Sequence, residues 1–394
     1  MRNGLWYLRL LAVSIFVGLI MTPVAIAQSP TSAAPALQHT PVYAYFYQWF
    51  ERGSWDRAKQ DFPLAGRYSS DDPHVLRDQV RQARSAGIDG FLTSWKDTPT
   101  LDRRLNLLLD IAKSEHFDVG VVYEALDFQR QPLPITTVRA DMVHLATNWK
   151  KDLSSSYFGR PVVIWTGTDQ YSVADVRSVR AALQGRALVL AASKDVTHYQ
   201  RIARYVDGEA YYWSSADPHS ATTSQKMARF AAAVHTRGQT WIAPAAPGFD
   251  GRTLGHSRVI SRDSGKTLEY SLENAFSTHP DAVGLISWNE WSENTYIEPG
   301  RRYGAEELNI IRRFLANVRG VALNSGPSAT GTSPRNHWTG LQAASVLLIV
   351  CCLGVCILAL LPRRNSRKRR VPIESDSGSI EKRISERPQA GASR

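Results

Sequence analysis

The chain has 394 residues and a formal net charge of +11. Residues 362–394 carry ten Lys or Arg against four Asp or Glu, and residues 1–27 carry two Arg and no acid, so that residues 28–361 carry only +3. This near-neutral central part lacks the basic surface of a nucleic-acid-binding domain, and no nucleic-acid partner is expected. The three cysteines all lie between positions 351 and 356, which excludes a cysteine nucleophile or a thiolate metal site from the rest of the chain.

The N-terminus predicts a secretory signal peptide over residues 1–27. Arg2 and Arg9 flank an apolar stretch that ends in the small-residue pattern Ala25-Ile26-Ala27. An uncleaved membrane anchor is the alternative. Residues 28–40 (QSPTSAAPALQHT) are rich in Pro, Ser and Ala and predict a linker.

Residues 41–320 contain eight short, nearly continuous apolar runs, as expected for parallel strands that are buried on both faces. The runs are VYAYFYQW (42–49), IDGFLTSW (88–95), DVGVVYEA (118–125), PVVIWTGT (161–168), ALVLAAS (187–193), GEAYYW (208–213), TWIAPAAPG (240–248) and AVGLISWNEW (282–291). Segments with helical spacing separate many of them; in one, Val75, Val80 and Ala83 form an apolar stripe that ends at Gly87. The pattern predicts a (β/α)8 TIM barrel. The count of eight and the lack of a glycine-rich nucleotide loop disfavour a doubly wound open sheet.

The C-terminal part predicts a single-pass membrane protein. After a linker over 321–337, the predicted membrane segment 338–361 begins with Trp338. Its uncharged run at 341–361 has 21 residues, which is long enough for a transmembrane helix. The sequence RRNSRKRR follows, and the positive-inside rule places this basic tail, 362–394, in the cytoplasm. We therefore expect a cell-membrane location with the barrel on the extracytoplasmic side, as a monomer.

Aromatic and acidic residues recur where the predicted strands end, which is where a (β/α)8 barrel forms its active site. The candidates are Tyr47, Trp49, Trp95, Glu124, Tyr212, Trp213, Trp288, Asn289, Glu290, Trp291, Glu293, Tyr296 and Glu298. Aromatic faces beside carboxylates suit a carbohydrate, and two carboxylates are what cleavage of a glycosidic bond requires. No zinc site and no cofactor is expected, although a Ca²⁺ ion near Asp217 or Asp250 is an alternative.

Several of these residues have a structural alternative. Tyr43 and Tyr45 share one strand face with Tyr47, and we interpret them as barrel core rather than as a sugar platform. Glu124 could pair with an arginine instead of facing a substrate, and Glu298 could be an ordinary loop acid. Glu290 and Glu293 are the preferred reacting pair, because two tryptophans bracket them at the end of a buried strand.

The segment SWNEWSENTYIEP resembles the E-W-x-E signature of glycoside hydrolase family 99, the endo-α-mannosidases, and of the wider group of family-99-like domains. Further segments resemble the same family in the same order: YFYQWF, YSSDDPHVLRDQVRQARSAGIDGFLTSW, VYEA, APAAPGFDGR and RDSGKTLEYSLENA. Together they span most of residues 41–300.

The resemblance implies a (β/α)8 fold and a retaining cleavage of α-mannosides. In the family the first Glu of the signature deprotonates the substrate's 2-hydroxyl, which attacks the anomeric carbon, and the second Glu is the acid and later the base. These roles would fall to Glu290 and Glu293. Glu124 would help to hold the sugar at the cleavage subsite, which Tyr296 and Trp95 would line.

The chain departs from the endo-α-mannosidase pattern around its second glutamate. Those enzymes have His and then Gly-Thr-Gln, where this chain has Ser292 and then Asn294-Thr295-Tyr296. This is similar to the broader family-99-like group, which includes domains associated with polysaccharide biosynthesis loci. The motif also resembles the W-N-[DE]-[WY] segment of family 71 α-1,3-glucanases. The alternatives are therefore an α-1,3-glucanase-like hydrolase and a non-catalytic glycan-binding or polysaccharide-processing surface protein.

Overall fold

The structure is a computed structural model. It describes residues 39–127, 129–149, 151–153 and 156–320. They belong to one compact unit, Met1–Asn324, while a second unit, Ser325–Arg394, lies outside the described residues. The predicted signal peptide and transmembrane segment also lie outside them. Within the described residues, no helix has both the length and the apolar character needed to cross a membrane.

The sheet confirms the predicted barrel. The strands are β1 (Val42–Phe46), β2 (Gly90–Trp95), β3 (Asp118–Tyr123), β4 (Val162–Thr166), β5 (Leu188–Ala192), β6 (Gly208–Ala210), β7 (Thr240–Ala245), β8 (Phe249–Asp250), β9 (Val259–Ile260) and β10 (Ala282–Leu285). Eight of them, β1–β7 and β10, close into one parallel barrel, in which β1 pairs with both β2 and β10. Each of the eight apolar runs contains one barrel strand. The remaining strands, β8 and β9, form a small antiparallel hairpin between the last two barrel strands.

Helices follow the barrel strands and cover the outside of the sheet. They are α1 (Pro73–Ser85), α2 (Pro99–Ser114), α3 (Ile135–Asn148), α4 (Val173–Leu183), α5 (Val196–Ile202), α6 (Ala221–His235), α7 (Lys266–Phe276) and α8 (Glu306–Val318). The start of α1 shows why the sequence forms a helix there. Asp72 accepts hydrogen bonds from the backbone N–H groups of His74 and Val75, and Pro73 occupies the first helical position.

The inside of the barrel is filled by side chains of alternate strand positions. Tyr43 and Tyr45 are each only 2% exposed and reach across the interior, which confirms that they belong to the core. Their rings occupy the space beside Gly90 and Gly284, where no side chain could fit. The opposite strand faces pack against the helices in a second, larger apolar layer. This packing closes the barrel interior and leaves the rim at the strand ends for chemistry.

Candidate active site

The chain after β10 forms a compact loop that presents two glutamates. The N–H of Ser287 donates to the carbonyl oxygen of Thr295 at 2.9 Å, and the N–H of Ile297 donates to that of Ser287 at 2.9 Å. These bonds bring the two ends of the loop together. At its tip the Ser287 hydroxyl accepts a hydrogen bond from the N–H of Glu290 at 2.8 Å. We refer to residues 287–298 as the catalytic loop.

Glu290 and Glu293 lie partly buried on the catalytic loop and act on each other electrostatically. Burial, and then the charge of Glu293, raise the pKa of Glu290 to about 8. Burial also raises the pKa of Glu293, whose Oε2 atom has no hydrogen-bond partner among the described residues. By contrast, the N–H of Ser292 donates to Glu290 Oε1 at 3.1 Å. Two coupled acids with raised pKa values are typical of a site that transfers protons near neutral pH.

Tyr47 links this pair to the opposite side of the rim. Its hydroxyl lies 2.8 Å from the hydroxyl of Tyr212, at the end of β6. Burial raises the pKa of Tyr47 well above its usual value, and the charges of Glu290, Glu293 and Glu124 raise it further. The structure therefore brings these five predicted residues to one place at the C-terminal end of the barrel.

Glu124 ends β3 and points to the barrel mouth. The Ser94 hydroxyl donates to its Oε1 at 2.9 Å, and the Thr166 hydroxyl lies 3.3 Å from its Oε2. Burial raises the pKa of this carboxyl group. The hydrogen-bond partners of Glu124 are thus hydroxyl groups from the two neighbouring strands, and the positive charges of Lys96 and Arg130 also act on its carboxylate. The sequence analysis missed Ser94 and Thr166, although both lie at strand ends.

Asn289 fixes the catalytic loop to the first strand. Its Oδ1 accepts a hydrogen bond from the N–H of Tyr47 at 2.8 Å, and its Nδ2 donates to the carbonyl oxygen of Tyr47 at 2.9 Å. The side chain is fully buried. In place of the predicted contact with substrate, both ends of the Asn289 amide bind the backbone of Tyr47.

Glu298 lies in a buried aromatic cluster below the rim, with Trp291 and Tyr296. It accepts hydrogen bonds from the Tyr68 hydroxyl at 2.9 Å, from Gln79 Nε2 at 2.7 Å and from Trp291 Nε1 at 3.2 Å. Burial raises its pKa to about 7. Trp291 and Tyr296 stack with ring centroids 3.8 Å apart. In place of the predicted substrate contacts, all three residues are buried and pack within the catalytic loop.

Trp95 and Trp288 also do not face the mouth. Trp95 is fully buried and donates to Asp102 of α2 at 2.9 Å, while the ring of Trp288 packs 5.2 Å from that of Phe91. Both lie in the layer between sheet and helices. The reason is the alternation of side chains along a strand: the inward position before Trp95 belongs to Ser94, so the tryptophan points outward.

Two predicted aromatic residues lie at the edge of the site. Trp49 is 44% exposed and stacks on Tyr47 with ring centroids 4.3 Å apart. Trp213 is partly buried, and the ammonium group of Lys226 lies 4.7 Å from the centre of its ring. Trp49 therefore offers a flat apolar face to solvent beside Tyr47, whereas the ring of Trp213 is already covered by a cation.

Loop residues that the sequence analysis did not identify act on Glu293. Ser214 hydrogen-bonds its carboxylate, and the charge of Arg130, with that of His256 when His256 is protonated, also favours its ionised form. These residues come from loops that are far apart in the chain. No local motif marked them, so only the folded structure could find them.

The described residues offer no evident metal site. Among them, no group of three or more His, Cys, Asp or Glu side chains could hold a metal ion. Asp250, one of the two residues considered for Ca²⁺, is bound by the guanidinium group of Arg252 at 2.6–3.1 Å, which lowers its pKa to about 2. Asp217 accepts a hydrogen bond from the N–H of His219.

A cavity of about 450 Å³ lies at the other end of the barrel. Its lining includes Asp118 and Val119, which begin β3, and His116 just before them. None of the predicted site residues lines it. The cavity is therefore separate from the carboxylate site at the C-terminal rim.

Comparison with known proteins agrees with this geometry. The model of glycosyl hydrolase family 71 matches residues 65–310. A mouse glycoprotein endo-alpha-1,2-mannosidase-like protein is 22% identical over 270 residues, and a rat glycoprotein endo-alpha-1,2-mannosidase is 21% identical over 265 residues. The aligned regions cover 62% and 60% of this chain, and they span only 58% and 56% of those relatives.

Solved structures show the same fold. The family 99 endo-alpha-mannosidase from Bacteroides thetaiotaomicron superposes with a TM-score of 0.63 and 17% identity, over 72% of this chain and 98% of that one. The family match spans more than half of the chain. The chain therefore belongs to glycosyl hydrolase family 71, a family of glycoside hydrolases, and its barrel is like that of the family 99 endo-α-mannosidases.

Proposed function

We propose that this protein is a retaining α-glycoside hydrolase that cleaves an α-linked glycan of the endo-α-mannosidase substrate type. One observation carries the proposal: Glu290 and Glu293 lie together at the end of the eighth barrel strand, coupled to each other and to Tyr47. The curated relatives named above are endo-alpha-1,2-mannosidases or similar proteins, which favours an α-mannoside as the substrate.

The proposed roles within the pair follow the family resemblance, with Glu290 as the base and Glu293 as the acid. Two contacts are compatible with these roles: Glu290 accepts a backbone N–H, and the Oε2 of Glu293 has no described partner and can carry a proton, while Ser214 hydrogen-bonds the Glu293 carboxylate. When Glu293 is protonated, its charge no longer raises the pKa of Glu290. In the free protein the higher pKa is that of Glu290, so the coupled pair holds one proton near neutral pH. The proposed reaction requires this proton to lie on Glu293 when the substrate is bound, with Glu293 as the acid and Glu290 as the base.

In the reaction, Glu290 takes the proton of the substrate's 2-hydroxyl group, and the 2-oxygen attacks the anomeric carbon. Glu293 donates its proton to the leaving oxygen as the glycosidic bond breaks. Water then opens the resulting three-membered ring at the anomeric carbon, with Glu293 as the base, and Glu290 returns the proton to the 2-oxygen. Two inversions at one carbon retain its configuration.

Tyr47, Tyr212 and Glu124 form the remainder of the cleavage subsite in this proposal. The paired tyrosine hydroxyls and the Glu124 carboxylate can bind sugar hydroxyl groups. The exposed face of Trp49 lies beside them and suits the apolar face of a neighbouring sugar. These residues give a polar centre with an aromatic edge, as expected for a site that binds an oligosaccharide.

A second substrate deserves a direct comparison, because the family 71 model matches the chain. The sequence motif is similar to that of the family 71 α-1,3-glucanases, so α-1,3-glucan is the alternative to α-mannan. Product analysis with both glycans separates the two: mannose-containing products support the first, and glucose-containing products the second.

The activity itself is tested by Glu293→Gln, which removes the acid but keeps the shape of the side chain. We expect the kcat on an α-linked oligosaccharide to fall by about 10³-fold, since general acid–base groups contribute on this scale. Glu269→Gln on α7 is the matched control, because that carboxylate is about half exposed and remote from the site. Undiminished hydrolysis by Glu293→Gln would refute the assignment, and glycan binding without turnover by the native protein would favour a binding function.

We also propose that the barrel is anchored to the outside of a cell membrane. The support is the sequence alone: the uncharged 21-residue run at 341–361 and the basic residues after it. Protease added to intact cells should degrade the barrel and leave the basic tail protected. Protection of the barrel with digestion of the tail would contradict this orientation.

A further inference from the structure

The segment that follows β7 binds the outer side of the catalytic loop. The N–H of Asp250 in β8 donates to the carbonyl oxygen of Glu293 at 2.8 Å. The hydroxyl of Thr253 donates to the carbonyl oxygen of Ser292 at 2.8 Å. The backbone of Ser292 and Glu293 is thus held by hydrogen bonds, while the Glu293 side chain stays available at the mouth.

Arg262 binds two further carbonyl groups of the same loop. Its Nη2 donates to the carbonyl oxygen of Asn294 at 2.9 Å and to that of Tyr296 at 2.7 Å. Its Nη1 donates to Glu307 of α8 at 2.7 Å. The guanidinium group therefore joins the catalytic loop to a helix on the outside of the barrel.

The surroundings fix the guanidinium in one orientation. The side chains of Arg262 and Glu307 are each only 4% exposed. The guanidinium carbon lies 4.5 Å from the ring centres of both Tyr296 and Tyr303. A buried ion pair contributes little net stability compared with an apolar pair of the same size. The planar guanidinium group of arginine has five donors, however, and can hold several acceptors at fixed positions.

We propose that Arg262 is a positioning residue for the general acid: it fixes the backbone just after Glu293 and thereby directs the carboxyl group at the leaving oxygen. The inference rests on the proposed function, in which Glu293 donates that proton. Asn294 directly follows the acid, so a shift of its carbonyl group moves the acid as well. A displacement of about 1 Å at a reacting group can cost a factor of about 10² in rate.

The test is Arg262→Lys, which keeps the positive charge but replaces the planar fork with a single ammonium group. Two substrates with the same sugar are compared: an α-linked oligosaccharide, whose leaving oxygen needs a proton, and an α-glycosyl fluoride, whose leaving group needs little help. We expect kcat/KM to fall about 100-fold on the oligosaccharide and less than about 5-fold on the fluoride.

The ratio of kcat/KM on the oligosaccharide to kcat/KM on the fluoride separates a positioning role of Arg262 from a merely structural one. A loss of folded protein lowers kcat/KM equally for both substrates, and an equal loss would overturn the proposal. Arg313→Lys is the matched control, because Arg313 lies on α8 and is about half exposed. We expect its ratio to match that of the native protein.

Glu307→Gln is the second variant, and it decides the question if Arg262→Lys does not fold. It removes the charged partner that anchors the guanidinium group but leaves Arg262 in place. We expect the same selective loss on the oligosaccharide, at about 10-fold. An unchanged ratio in this variant would contradict the proposal as clearly as an equal loss in the first.

A measurement without turnover keeps this inference separate from the proposed function. Arg262→Lys should speed amide hydrogen exchange in residues 287–297 and leave exchange in α8 unchanged. If the native protein hydrolyses no α-glycoside, the proposed function fails, and this measurement still tests whether Arg262 holds the loop. Unchanged exchange in the loop would show that it does not.

Discussion

Glu298 accepts hydrogen bonds from three side chains, whereas Glu293 keeps one carboxylate oxygen without a described partner. This contrast supports a structural role for Glu298 and the proposed reacting role for Glu293, although both follow the same strand. The sequence could not decide the role of Glu298, because Tyr68 and Gln79 lie 230 and 219 residues away from it in the chain. Burial of a carboxyl group among such partners is a property of the fold.

The difference from the endo-α-mannosidase pattern at Asn294 has a conformational explanation. Its φ angle is +57°, in the left-handed region that glycine and asparagine adopt most readily. The Gly-Thr-Gln pattern of the endo-α-mannosidases has glycine at this position. Asparagine therefore preserves the turn of the catalytic loop. The difference at Ser292 has no such explanation in the structure, so it is the better place to look for a difference in substrate.

At the scale of elements, the eight barrel strands could be predicted because continuous apolar runs are the direct signature of strands buried on both faces. The sequences of two helices, α3 and α5, predict a helix less clearly. The sequence of α3, ITTVRADMVHLATN, is rich in β-branched residues, which have low helix propensity, and α5 has only seven residues. The hairpin of β8 and β9 has two residues in each strand, which is too short for any periodicity.

The packing between strands predicts a strong effect for Gly90→Ala in β2. A Cβ atom there would lie 2.6 Å from the carbonyl oxygen of Asp118 and 2.7 Å from the ring of Tyr43. We expect the variant to lose about 1–3 kcal/mol of unfolding free energy in urea denaturation. Gly53→Ala is the control, because no atom lies within 4 Å of its added Cβ. Equal stability of the two variants would show that the barrel interior can adapt.

At the scale of the whole molecule, the order of elements in the chain determined the position of the site. Eight strand–helix units predict a closed barrel, and a closed barrel places all strand ends on one rim. The sequence alone therefore predicted that Glu124, Glu290 and Glu293 lie on the same rim. It was not enough to tell inward from outward aromatic residues at the rim, as Trp95 and Trp288 show, because the last strand residues alternate in direction.

The buried acids predict how the stability of the whole protein depends on pH. Burial raises the pKa of Glu298 to about 7 and, with the charge of Glu293, that of Glu290 to about 8, so the folded state holds protons that the unfolded chain releases near pH 4–5. The unfolding free energy should therefore be highest near pH 5 and fall as the pH rises through 7 and 8. Below about pH 4 the opposite sign applies, because Asp71 and Asp250 have pKa values lowered to about 2 by their arginine partners.

Urea denaturation at pH 5 and at pH 8 measures this effect. Glu298 alone should contribute a decrease on the order of 3 kcal/mol between them, since each pKa unit corresponds to about 1.4 kcal/mol. Glu298→Gln cannot titrate, so its decrease should be smaller by that amount, whatever its stability at pH 5. The exposed Glu269→Gln serves as the control and should keep the native slope. If Glu298→Gln also keeps that slope, Glu298 titrates in the folded protein as it does in the unfolded chain, and burial does not hold its proton.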